Sequence, residues 1–193
     1  MPRLISPALP AGALAALVQP VLPADGLVLR PWAPADADTV LAAYGDPGIQ
    51  RWHARTMTAE EAAAWVEAWP DRWRAESGAG WAVTRDGAVV GQLSLRRVDL
   101  GEGLGEISYW VLPEARGSGI APRALRALCG WAFGELGLHR LEIAHSQANA
   151  ASCRVAGRAG FPLEGTKRRE ALHADGWHDM HLHARLSDDP LQD

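Results

Sequence analysis

The sequence predicts a mixed α/β domain, and three stretches carry that prediction. The first is a β-hairpin, in which Trp81 to Arg85 and Ala88 to Leu95 flank Asp86-Gly87, the pair a type I′ turn favours. The second is a strand from Glu106 to Leu112, closed by Pro113, which has no amide to donate to a ladder. The third is an amphipathic helix beginning near Gly119. There Ala121, Ala124, Leu125, Leu128, Cys129, Ala132, Phe133 and Leu136 keep the i, i+3, i+4, i+7 spacing, and Gly137 is the stop.

The remaining elements follow in chain order. Leu27 to Pro31 reads as a short strand, ended by Pro31 and Pro34. Asp36 to Tyr44 has helical spacing, with Val40, Leu41 and Tyr44 on one side and Gly45-Asp46-Pro47 after it. Thr58-Ala-Glu-Glu61 is a capping box, and the helix it opens carries Trp65 and Trp69 four residues apart. Pro70 is expected to kink or end that helix, with a second helical piece through Trp73. Arg140 to His145 reads as a strand, Asn149 to Ala159 as a short helix stopped by Gly160, and two strands near Leu163–Arg169 and Trp177–Arg185 finish the domain. The organisation expected is an N-terminal extension (1–26) packing on one domain (27–186), with a C-terminal tail (187–193). Within the extension, Ala11 to Val18 is expected to form one short helix.

Bulk properties narrow the function. At 193 residues the chain suits a single core, and 48% hydrophobic with 22% charged residues is ordinary globular usage. A net charge of −4 without a basic block disfavours a nucleic acid partner. Cys129 and Cys153 fall on apolar helix faces without a CxxC partner, as reduced core thiols of a cytoplasmic protein do. No apolar run approaches the ~18 residues of a membrane span. Pro7, Pro10, Pro20 and Pro23 interrupt the apolar N-terminal stretch, which argues against a signal peptide.

The chemistry concentrates in Val111-Leu-Pro-Glu-Ala-Arg116-Gly117-Ser118-Gly119-Ile120-Ala121. A strand ends, a tight Gly/Ser loop follows and a helix begins, so free first-turn amides and the positive end of a helix dipole face one spot. Gly117 and Gly119 remove side chains, which lets a pyrophosphate approach the backbone. The GK[ST] of a Walker loop is absent, as is GxGxxG.

Arg116-x-x-Gly119-x-Ala121 in this setting resembles the pyrophosphate loop of the GNAT superfamily of N-acetyltransferases, R/Q-x-x-G-x-G/A. Asn149-x-x-Ser152, followed by Gly160-Phe161, resembles the N-x-x-S…G-F block of the RimJ/RimL type. Glu106-Ile-Ser-Tyr-Trp110 resembles that type's E-I-G-Y-W strand, and Asp179 to Leu186 resembles its last strand. The similarity covers about Leu27 to Leu186, and the blocks occur in the family's order.

The resemblance implies a twisted mixed sheet of six to seven strands, splayed into a V and flanked by about four helices. It implies acetyl-CoA as co-substrate, with the pantetheine arm against the backbone of Trp110, Val111 and Leu112. Arg116, Gly117, Ser118, Gly119, Ile120 and Ala121 would hold the pyrophosphate, and Asn149 would bind the ligand or fix the loop around it. The acceptor would be a protein N-terminus or a small amine, the protein a monomer or homodimer.

Acyl transfer to an amine needs a proton acceptor, a donor to the developing oxyanion and a donor to the leaving thiolate. Glu106, on the strand that flanks the thioester, is the candidate base; its other reading is an ion pair with an arginine. Glu142, Glu170 and Asp179 stand behind it. Ser152 is the candidate thiolate partner, because Val155 and Ala156 occupy the region where many family members place a tyrosine. Trp52 and His53, in the stretch before the capping box, and His145, at a strand end near the cleft, are candidate substrate contacts. His173, His178, His181 and His183 gather near the C-terminus, but without HExxH spacing no metal is expected. Two other readings stay open: a non-catalytic acyl-CoA-binding module, and an acyltransferase using a longer donor such as succinyl-CoA.

Overall fold

A computed structural model describes residues 4–190; residues 1–3 and 191–193, the ends of the extension and of the tail, lie outside it. The elements are β1 (Leu22–Pro23), β2 (Val28–Pro31), α1 (Ala37–Gly45), α2 (Pro47–His53), α3 (Ala59–Arg74), β3 (Ala79–Arg85) and β4 (Ala88–Asp99). They continue with β5 (Leu104–Val111), α4 (Ile120–Gly134), β6 (Arg140–Ser146), α5 (Ala150–Arg158), β7 (Leu163–His173) and β8 (Gly176–Leu186). The strands form one sheet in the order β1-β2-β3-β4-β5-β6-β8-β7. The two-residue β1 brings the count to eight.

The β3–β4 turn has φ of 51° at Asp86 and 82° at Gly87, both positive as a type I′ turn demands. Alternation along the strands builds two cores. Trp81, Leu93, Leu95, Ile107, Leu141 and Ile143 face α4 and α5, whereas Ala82 and Trp110 join Val40, Tyr44, Val66 and Trp69 beneath α1 to α3. Gly80 is required there, since a Cβ would stand 2.4 Å from the Trp69 ring.

One expectation holds only in part and one fails. Proline 70 neither ends nor splits α3, which runs unbroken from Ala59 to Arg74. Apolar contacts on both sides of the proline, from Val66, Trp69 and Trp73, outweigh the hydrogen bond it removes. The stretch from Ala11 to Val18 forms turns rather than a helix. Its amides are taken instead by the Glu76 carboxylate, which accepts from Gly12, Leu14 and Ala15 at 2.7, 2.8 and 3.0 Å. Leu14 is fully buried, and the Trp73 and Trp81 indoles donate to the carbonyls of Leu17 and Pro20.

The feature that positions the site is the junction of β5 and β6, the sheet's parallel pair. Their pairing runs from Leu104–Arg140 to Ile107–Ile143 and then stops. From Ser108 to Val111, β5 stays bound to β4 on its other edge, so the strands diverge into a V.

Candidate active site

Two cavities meet in this V. The smaller, about 400 Å³, lies against Tyr109 to Val111, the Gly117–Ala121 loop and the first turns of α5. The larger, about 830 Å³, lies between Trp65 and Trp69 of α3, the strands β4 to β6 and the β7–β8 hairpin. Trp52, His53, Tyr109, Asn149 and Ser152 line both.

The smaller cavity has the chemistry to suit an anion. Gly117 and Gly119 adopt φ of 79° and 72°, which turns the chain sharply into α4 and leaves no Cβ over its N-terminus. Arg116, Arg154 and Arg158 line this cavity, and among the described residues no carboxylate does. Arg116 is folded back: it donates to the Val111 carbonyl at 3.1 Å and to Asp46 at 2.6 Å, which holds the Asp46 carboxyl below its ordinary range. The Ser118 hydroxyl donates to the Ala115 carbonyl at 2.7 Å. Trp110 is buried beneath α1 and α3. Asn149 caps α5, its Oδ1 accepting from the Ser152 amide at 3.1 Å.

Where the cavities join, the Ser152 and Tyr109 hydroxyls lie 2.6 Å apart, and either can donate. Burial pushes the Tyr109 phenol up to about 12. Tyr109 is thus a candidate residue that sequence reasoning passed over.

Trp52 and His53 were expected in a connecting stretch; they form the last turn of α2. His53 Nε2 donates to the Tyr109 carbonyl at 3.2 Å, and burial lowers its pKa to about 4, so the ring is neutral. Trp52 lies edge-on to His173, with Arg51 over its ring. His145 is among the residues lining the larger cavity. It stacks on His183 on the sheet face beneath α5, with burial lowering its pKa.

Glu106 lines the larger cavity, and its two oxygens accept from Arg97 at 3.1 Å and Arg96 at 2.8 Å. The ion pair that sequence left open is therefore made. Glu142 pairs with Arg140 and Glu170 with Lys167, both also at this cavity, while Asp179 accepts from the Arg169 amide.

A parallel pair that splits into a V, with a glycine-rich loop leading into a helix beside it, is the arrangement that the sequence resemblance implied. Residues 26–162 match the family model described as an acetyltransferase (GNAT) domain, and the chain belongs to that family of acetyl-CoA-dependent N-acyltransferases. It is 40% identical over 93 residues to YdaF of Bacillus subtilis (strain 168), a protein named as a ribosomal N-acetyltransferase, covering 48% of this chain and 50% of that one. It is 31% identical over 106 residues to the ribosomal-protein-serine acetyltransferase of Escherichia coli (strain K12), covering 55% and 59%. The matched region thus spans about half to three-fifths of these relatives. Among solved structures, Mycobacterium smegmatis RimJ in complex with CoA-disulfide superposes with a TM-score of 0.80 at 25% identity, covering 90% of this chain and 88% of that one. No helix among the described residues is long and apolar enough to cross a membrane.

Proposed function

We propose that the protein moves an acetyl group from acetyl-CoA to the α-amine of a protein N-terminus within a ternary complex. The observation that carries this reading is the meeting of two unlike cavities at Tyr109 and Ser152. The smaller, arginine-lined cavity suits the phosphates and pantetheine of the donor. The larger one opens toward the acceptor. The names of the ribosomal relatives favour a protein N-terminus over a small amine.

In this reading the amine nitrogen attacks the thioester carbonyl, the C–N bond forms and the C–S bond breaks. Backbone amides of β5 around Val111 stabilise the developing oxyanion. Tyr109 donates to Ser152 Oγ, which leaves the serine hydrogen free to donate to the departing thiolate. Glu106 takes the amine proton, directly or through water, after giving up one of its arginine contacts. Arg116 exchanges its internal partners, the Val111 carbonyl and Asp46, for the donor. His53 stays neutral and holds the Tyr109 carbonyl in place.

The test is release of free thiol from acetyl-CoA against N-terminal peptides and a panel of small amines. Release with peptides bearing a free α-amine, and none with N-blocked copies, supports the reading. Release with small amines alone would move the acceptor class. Binding without release from any acceptor, with acetyl-CoA or succinyl-CoA, would favour the acyl-CoA-binding module.

A further inference from the structure

Behind α5 lies a second cluster that acyl transfer does not use. His145 on β6 pairs across the ladder with His181 on β8, and His183 stands two residues along on the same face. Their ring centroids are 5.1, 5.6 and 6.1 Å apart. Cys153, in the first turns of α5, completes the group, and one ligand atom from each of the four lies within 4.8 Å of the others.

The hydrogen bonds around the cluster fix the protons. His145 Nδ1 lies 2.8 Å from the Ser146 carbonyl and His183 Nδ1 lies 2.9 Å from the Phe161 carbonyl. A carbonyl only accepts, so each Nδ1 carries the hydrogen, and in the neutral ring each Nε2 has a bare lone pair. Both Nε2 atoms are buried without a hydrogen-bond partner, and so is Nδ1 of His181. Buried nitrogens are normally satisfied, so three orphans on clustered histidines, beside a thiol, call for a common partner. A backbone carbonyl on the far nitrogen is also the device that orients histidines toward a metal.

We propose that His145, His181, His183 and Cys153 bind one divalent cation of the zinc class, tying α5 to the sheet. Three imidazole nitrogens and one sulfur suit this borderline-soft ion and its tetrahedral geometry. Bond lengths of about 2.0–2.3 Å place tetrahedral ligand atoms about 3.5 Å apart, so the four draw in by about 1 Å as the ion binds. The imidazoles bind neutral; Cys153 binds as thiolate and releases one proton to solvent. All four positions are filled by protein, which marks the site as structural rather than catalytic. The spacing rule applied to the sequence missed it because the ligands come from three elements joined only by the fold. The ion would fix the first turn of α5, where the neighbouring Ser152 meets Tyr109.

The experiment uses untagged, chelator-treated, full-length protein titrated with Zn²⁺ or Co²⁺ alone. Wild type is expected to bind one ion per chain, release one proton, melt at a higher temperature and, with Co²⁺, show a thiolate-to-cobalt charge-transfer band. Cys153→Ser should lose that band, and His181→Gln should weaken binding at least about tenfold. His178→Gln should leave binding unchanged, because that ring bonds Ser146 and Asp175 instead. Absence of stoichiometric binding by wild type would overturn the proposal. So would binding that survives both ligand substitutions, or binding lost in His178→Gln, since either places the ion elsewhere.

Discussion

Replacing Tyr109 with phenylalanine removes one oxygen from the junction of the two cavities and little else. The ring keeps its place beneath α5, while the Ser152 hydroxyl loses its partner at 2.6 Å. One hydrogen bond of this kind is worth about 1–1.5 kcal/mol, which converts to about a 5- to 12-fold fall in kcat if it acts in the transition state. Ser152→Ala should cost on the order of tenfold by the same arithmetic. The two hydroxyls form one relay, so the double variant should be no worse than the poorer single. Independent effects would instead multiply to roughly a hundredfold. The phenol, pushed up to about 12, stays protonated at neutral and mildly basic pH, so its loss should be pH-independent across that range. The assay is kcat from thiol release at saturating acetyl-CoA, with coenzyme A affinity measured separately. Multiplying defects, or a fall in melting temperature with kcat intact, would refute the relay.

Glu106→Gln keeps shape but cannot accept a proton, so kcat should fall about 10²-fold or more and recover partly at high pH, where the amine is already neutral. A small, pH-independent defect in the same rate profile would make Glu106 purely the partner of Arg96 and Arg97 and pass the role to Glu142 or Glu170. Trp52→Ala should raise the acceptor KM more than it weakens acetyl-CoA, and equal acceptor kinetics would take α2 out of the acceptor pocket. Acid should destabilise the fold through His53. Its folded pKa of about 4 lies below the unfolded value, so stability is whole above about 6.5 and lost as pH falls toward 4. In melting curves across that interval, His53→Gln should flatten the slope, and unchanged slopes would contradict the sign.

What the sequence disclosed was local in the chain. Gly117 and Gly119 at a strand–helix turn, Asn149 capping a helix, and Asp86-Gly87 in a hairpin each act within a few residues, so their patterns are readable without a fold. Glu106 was legible as a carboxylate beside the cleft, but its partners Arg96 and Arg97 lie on the neighbouring strand, out of reach of period-two counting. Tyr109 sat in plain view within the Glu106–Trp110 strand. Its role depends on contact with Ser152, 43 residues away, which only the splay of β5 from β6 creates. His145 shows a related limit. Its position at the strand end was correct, but the face it presents follows from Leu141 and Ile143, whose burial carries the ring beneath α5. The stretch at Ala11–Val18 shows the opposite limit, where helical composition yielded to a distant carboxylate.

The central claim is that acetyl-CoA occupies the smaller cavity, with its phosphates on the Gly117–Ala121 loop. A thermal-shift titration of wild type and Gly119→Glu tests it most directly. The new side chain enters open space, its nearest neighbour being Arg123 at 4.0 Å, and the left-handed backbone costs about 1–2 kcal/mol, which the fold should tolerate. Its carboxylate would stand where the pyrophosphate lies. Wild type should melt at progressively higher temperature as acetyl-CoA is raised, and the variant should melt cooperatively with no shift. A wild type that does not respond at millimolar acetyl-CoA, or a folded variant that responds equally, would contradict the account.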